Sequence, residues 1–148
     1  MKKLIAIASV GGHWVQLLRL RPAFLDFNVI YVSTHKNLKE TVNDKTFYLV
    51  TDANRWDKIK LLICFWEVLK IMVKEKPDAV ITTGAAPGLC GIIIARFIGI
   101  KSIWVDSIAN VEELSLSGKI ALKFANKVYT QWPEVSDSKV LYFGNVLS

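Results

Sequence analysis

Residues 3–10, KLIAIASV, run straight into Gly11-Gly12-His13 and then into HWVQLLRLRPAF at 13–24. The first stretch is short, almost wholly apolar and rich in β-branched residues. It does not alternate, so it reads as a strand covered on both faces. Two glycines let the backbone turn sharply. The following stretch is helical in length and spacing. Strand, glycine turn and helix in that order form the opening unit of a doubly wound α/β sheet.

The same alternation continues outward. Further strands are expected at 27–33, 46–51, 78–83, 101–106, 127–131 and 139–143, with helices near 36–43, 56–75, 87–98 and 117–125. This predicts a Rossmann-like α/β fold with a parallel sheet. No internal repeat, low-complexity segment or linker interrupts it, so residues 1–148 are expected to form a single domain.

Composition agrees. The chain has 148 residues, enough for one core. With 52% hydrophobic and 22% charged residues it belongs with globular rather than disordered chains. Net charge is +6. That either keeps the surface soluble or draws in an anionic partner such as phosphate or acidic lipid headgroups. The lysines and arginines are scattered and no RNA-binding aromatic motif is present, so nucleic acid is not expected as a partner. Cys64 and Cys90 lie in apolar helical runs and read as reduced core residues. The run after Lys2-Lys3 has the length of a strand, not of a signal peptide or a spanning helix. No cluster of metal-ligand type is visible, so no metal is expected.

The helix at 56–75 carries more apolar surface than a sheet needs. Lys60, Glu67, Lys70 and Lys74 share a narrow sector, and apolar residues fill most of the rest. A helix covering one sheet face requires an apolar arc of a little over ~100°. Glu67 and Lys70 interrupt the run, which falls short of the ~20 apolar residues of a membrane span. Either the helix is wedged into the core, or its outer flank (Phe65, Trp66 and Ile71 being the candidates) lies on a membrane or a partner chain.

In an open α/β sheet, ligands bind beyond the carboxyl ends of the strands. Three loops there carry candidate chemistry. Gly11 and Gly12 expose backbone N–H groups at a helix start, a workable anion site, and His13 beside them can act as a base or merely cap the helix. The G-x-G-x-x-G and Walker spacings are absent, which argues against a dinucleotide or ATP. Thr82-Thr83-Gly84-Ala85-Ala86-Pro87-Gly88 leads into a second helix. Gly84, Ala85 and Gly88 either hold phosphate or permit close helix–strand packing. The long polar loop from Asp106 to Lys119 offers Asp106, Ser107 and Glu112 as candidates. Ser117 stands ready to cap the helix that follows.

The stretch DSIANVEELSLSGKIALKFANKVYTQWPEV, Asp106 to Val135, resembles the most characteristic segment of a known family. This is the acceptor-side, membrane-anchoring subunit of the split N-acetylglucosaminyltransferase of asparagine-linked glycosylation. Bacterial PssD/CpsF-type exopolysaccharide proteins belong to the same group, and MurG-like transferases are more distant. Leu114-Ser115-Leu116-Ser117-Gly118-Lys119 and Gln131-Trp132-Pro133 are its specific parts, and Gly11-Gly12-His13 and Thr83-Gly84 match its glycine loops in position.

The resemblance covers nearly the whole chain and implies the N-terminal half of a GT-B fold. That half handles a polyprenyl-pyrophosphate-linked sugar acceptor at the cytoplasmic face of the membrane. A separate subunit would bind the nucleotide-sugar donor, so this chain is expected to need no cofactor of its own. Two departures stand out. Eukaryotic members carry an N-terminal spanning helix, whereas this chain is expected to attach peripherally. The family often has Glu where this chain has Asp106.

The expected function is that of a glycosyltransferase subunit in exopolysaccharide or capsule biosynthesis. His13 would be the catalytic base, with Asp106, Ser107 and Glu112 orienting acceptor or base. Gly11, Gly12, Gly84, Ala85 and Gly88 would cradle pyrophosphate. The rival is a non-catalytic anchor that recruits the donor subunit. A third reading, a free-standing nucleotide-binding enzyme, requires this chain alone to bind a nucleotide sugar.

Overall fold

A computed structural model describes residues 1–147. Its seven strands are β1 (Lys2–Ala8), β2 (Phe27–Ser33), β3 (Thr46–Leu49), β4 (Ala79–Gly84), β5 (Lys101–Val105), β6 (Lys127–Thr130) and β7 (Val140–Tyr142). They form one sheet in the order β3-β2-β1-β4-β5-β6-β7, with every neighbouring pair parallel. Four α-helices accompany them: α1 (Gly12–Arg19), α2 (Lys58–Glu75), α3 (Ala85–Ile98) and α4 (Leu116–Ala121). The expected doubly wound architecture is present.

Both faces of β1 are buried, which is why its sequence does not alternate. Leu4, Ala6 and Ala8 join Trp14, Leu17, Phe24 and Tyr31 on the α1 face. Ile5 and Ile7 join Ile30, Val32 and Val80 on the other, under α2 and α3. Each fully buried isoleucine contributes about 1.5–3 kcal/mol. A third cluster packs Trp104, Val128 and Val140 against Ile92 of α3 and Ala121 of α4. Cys64 and Cys90 are buried and unbridged. Hydrogen bonding to the Cys90 sulfur, together with burial, holds the Cys64 thiol above its ordinary range.

Three expected helices differ, one of them α4, which ends at Ala121 rather than near residue 125. The stretch 13–24 splits into α1 and a 3-10 turn, Arg21–Phe24. Pro22 has no N–H to continue the helical bonding, and its ring clashes with the preceding turn. The stretch 36–43 is 3-10 rather than α, over Lys36–Val42. Of its side chains only Val42 is buried, so little apolar surface rewards a full α-helix.

The helix α2 corrects one candidate. It rests on the sheet through Cys64, Val68, Ile71 and Met72. Ile71 is therefore core, 7% exposed, and is no membrane or partner contact. Phe65 is half-buried against the same cluster, whereas Trp66 stands 59% exposed. The outward apolar flank consists of Ile59, Leu62, Ile63, Trp66 and Val73. Glu67 lies on the same face as Lys70 and Lys74 but is half-buried: its carboxylate accepts from Thr51 N at 2.6 Å and Thr51 Oγ1 at 2.8 Å. No helix among the described residues is long and apolar enough to cross a membrane.

Candidate functional site

At the carboxyl edge of the sheet, the start of α1 touches the end of β4. His13 Nδ1 lies 3.1 Å from the Thr83 carbonyl oxygen, and Thr83 Oγ1 donates to the His13 carbonyl at 2.6 Å. A carbonyl oxygen only accepts, so Nδ1 carries the proton of the neutral ring. The lone pair is then on Nε2, the nitrogen left for proton transfer. His13 itself is half-buried.

The glycines divide into three roles. Gly11, at φ +97°, and Gly12 are exposed, and an added Cβ would meet nothing within 4 Å. Here the backbone is open to a ligand. Gly84 is different. At φ +135° it sits against the imidazole, where a Cβ would lie 2.6 Å from His13 Nδ1. Its own N–H is taken by Thr82 Oγ1. Gly84 therefore positions the histidine rather than holding phosphate. Gly88 is corrected more strongly: it is buried, and a Cβ there would fall 1.9 Å from Thr82 Oγ1. It exists for close contact of α3 with β4. Ala85 begins α3 with φ +69°, a conformation that non-glycine residues rarely adopt. Neither α1 nor α3 has a side-chain cap, and neither first turn carries an acid. Both helix starts thus present positive dipole ends.

The Gly84 contact gives a direct prediction. Gly84→Ala is expected to push the imidazole off the Thr83 carbonyl and to lower the thermal midpoint by several degrees, since overpacking costs about 1–3 kcal/mol. A histidine ring signal in NMR that stays where it is in the parent protein would contradict it.

The Asp106 carboxylate is 2% exposed and fully engaged. Oδ1 accepts from Trp104 Nε1 at 2.9 Å and Ser115 Oγ at 2.6 Å. Oδ2 accepts from Asn110 Nδ2 at 3.2 Å and Ser115 N at 2.9 Å. An ionised carboxylate offers about four acceptor sites, and here the loop's own donors fill them. Asp106 is thus the organiser of the 106–119 loop, not a free catalytic group. Ser115, not Ser117, caps α4, through Gly118 N. Glu112 is exposed and sits beside Glu113, Leu114 and Val140, towards β7; no hydrogen bond among the described residues joins it to the glycine loops. Its neighbour Glu113 pairs with Lys119 at 2.7 Å, which lowers the Glu113 pKa.

Two residues that the sequence reading did not single out as site residues bind the loops together. Gln16 is 6% exposed. Its Nε2 lies 3.4 Å from both the Gly12 carbonyl and Ser107 Oγ, and its Oε1 accepts from Ile108 N at 3.0 Å. Gln131 Nε2 reaches the same Oε1 at 3.3 Å, and Gln131 Oε1 accepts from Val146 N. Ser107 is thereby brought next to α1. The available signal was a polar residue, Gln16, inside the apolar run Trp14-Val15-Leu17-Leu18.

Beside this edge an apolar groove of about 780 Å³ runs between the first turns of α2, α3 and α4. Among the described residues no group of three or more potential metal ligands occurs. Fold alone does not assign chemistry, but similarity narrows it. A family model described as "Oligosaccharide biosynthesis protein Alg14 like" matches residues 49–146, from β3 through β7. The UDP-N-acetylglucosamine transferase subunit alg14 of Schizosaccharomyces pombe is 36% identical, the match covering 91% of this chain and 78% of that one. A UDP-N-acetylglucosamine–N-acetylmuramyl-(pentapeptide) pyrophosphoryl-undecaprenol N-acetylglucosamine transferase from Geobacillus kaustophilus is 26% identical over 99% of this chain and 46% of its own. The crystal structure of Acinetobacter baumannii MurG superposes with a TM-score of 0.79 at 18% identity, covering 96% of this chain and 45% of that one. The chain thus spans less than half of these last two proteins.

Proposed function

The chain belongs to the Alg14-like family of oligosaccharide biosynthesis proteins, and from that premise we propose that it is the acceptor-side subunit of a two-component glycosyltransferase. The donor nucleotide sugar is held by a separate partner subunit. The acceptor is a sugar carried on a polyprenyl pyrophosphate, the kind of substrate named for the Geobacillus relative. The setting we assign is exopolysaccharide or capsule assembly, as in PssD/CpsF-type proteins.

One observation carries this reading: His13 is locked by Thr83 into the tautomer that leaves Nε2 basic, between two uncapped helix starts. The backbone N–H groups near Gly11, Gly12 and Ala85 suit the acceptor's phosphates. Nε2 takes the proton of the acceptor hydroxyl as its oxygen attacks the anomeric carbon. The bond from that carbon to the nucleoside diphosphate breaks, the diphosphate leaves with the electron pair, and the configuration inverts. Gln16 and Asp106 act indirectly, by fixing the loops that shape the site. The decisive experiment is transfer by the reconstituted pair with His13 replaced.

Attachment is peripheral in this reading, at the cytoplasmic face, through the outward flank of α2. Ile59, Leu62 and Trp66 are each more than half exposed on it, and Lys60 and Lys70 are exposed on the same helix. Replacing Leu62 and Trp66 together by glutamate is expected to abolish co-flotation with vesicles containing anionic lipid, with little change in the unfolding midpoint. Retained flotation would remove α2 as the attachment surface.

A further inference from the structure

The groove between α2, α3 and α4 has two unlike ends. Its walls are Leu61, Phe65, Leu89, Ile93, Leu116 and Ile120. Its volume, about 780 Å³, is that of a small-molecule site. At one end stand Arg55 and Lys58, together with Ala85 and Ala86 at the start of α3. Ala85 directly follows Gly84, the residue that seats His13. The polar end therefore lies next to the residue that seats His13, and the apolar walls lead away from it along the helices.

The two cations are available. Neither Arg55 nor Lys58 has an ion-pair partner among the described residues. The Arg55 guanidinium lies over the Trp56 ring at 4.7 Å, which holds it at the mouth. The nearby Asp57 is occupied as the cap of α2, accepting from Lys60 N. The turn is fixed in turn by Asn54 Oδ1, which accepts from Trp56 N and Asp57 N.

Resting on the reading above, we infer that this groove seats the first isoprene units of the acceptor's lipid, with Arg55 and Lys58 joining the backbone N–H groups at the start of α3 in holding its pyrophosphate. The acceptor is then gripped by the protein along its tail, not left with its tail wholly in the bilayer. A cation pair at one end and unbroken apolar walls beyond it match a single-chain amphiphile with an anionic head. A two-chain phospholipid matches it less well, because one groove serves one chain.

Calorimetric titration of the whole chain with geranylgeranyl pyrophosphate tests this. Saturable binding is expected, weakened at least tenfold by Ile93→Trp, which fills the groove. Leu116→Trp is the second filling variant, at a position 54% exposed and so tolerant of a larger ring. The pair Arg55→Ala and Lys58→Ala is expected to weaken the pyrophosphate at least tenfold while leaving geranylgeraniol unaffected. Unweakened binding in filling variants that melt like the parent overturns the proposal, and so does equal competition by dioleoyl phosphatidic acid. If His13 variants abolish transfer yet geranylgeranyl pyrophosphate does not bind, the groove assignment fails and the functional reading stands. Groove-dependent binding with transfer indifferent to His13 and the glycine loops sinks the functional reading instead.

Discussion

Replacing His13 by glutamine is expected to reduce sugar transfer by the reconstituted pair roughly 10²- to 10⁴-fold, the usual range for a lost general base. Glutamine is chosen because its amide can still donate to the Thr83 carbonyl, which His13 Nδ1 faces at 3.1 Å. It also leaves the Thr83 Oγ1 bond to the backbone of residue 13 untouched. The fold and the glycine loops should therefore survive, and only the basic nitrogen disappears. The phosphate contacts proposed come from backbone N–H groups and from Arg55 and Lys58, none of them from the His13 side chain, so KM for the acceptor should move little while kcat falls. Initial rates over an acceptor titration separate the two. A kcat that stays at the parent value removes His13 as the base, and a recruiting, non-catalytic subunit becomes the better account.

The architecture was legible because burial on both faces writes itself into composition. KLIAIASV has no polar side to show, and only a sheet covered twice requires that. The faces of α2 were not legible in the same way. A helix that is apolar almost all round does not reveal from its wheel which arc meets the sheet. Thus Ile71 and Trp66, both apolar on one helix, ended at 7% and 59% exposure. Helix ends depended on single residues: Pro22 ended α1 early, while α3 began two residues before its expected start.

At the site, the glycine positions were readable but their roles were not. Gly11, Gly84 and Gly88 look alike in a string, yet one faces open space, one faces an imidazole and one faces a threonine. The Gly84 contact belongs to the packing of α1 on β4, which joins residues about seventy positions apart, and the Gly88 contact to the packing of α3 on β4. The amide relay through Gln16 and Gln131 spans still longer separations, 92 residues from Gln16 to Ile108 and 115 from Gln16 to Gln131. No local pattern encodes such a pairing. By contrast, Asp106 draws its partners from within nine residues, but its reach into its own loop required the loop's path.

Asp106 carries the largest stability effect expected in the molecule. Asp106→Ala would strand the buried Trp104 Nε1 and the half-buried Ser115 N–H and hydroxyl and Asn110 amide. Unpaired buried donors cost about 1–3 kcal/mol each, and such losses do not simply add. A total of roughly 3–5 kcal/mol is expected from the four stranded donors, at the upper end of what single substitutions cost. Against a typical domain stability of about 5–15 kcal/mol, that is a large fraction. Asp106→Asn keeps one oxygen but turns an NH₂ toward groups that also donate, so an intermediate loss of about 1–3 kcal/mol is expected. Lengthening the side chain should not rescue it: Gly118 already sits where a Cβ would come within 2.7 Å of Asp106 Oδ1, so the pocket has no slack. Urea midpoints of the two variants and the parent measure the order Ala, then Asn, then parent. A midpoint for Asp106→Ala equal to the parent's would mean that the carboxylate does not hold the loop. The same variant should also weaken whatever binds at the Gly11–His13 edge, because Ser107 and Ile108, which Gln16 clasps, leave β5 immediately after Asp106.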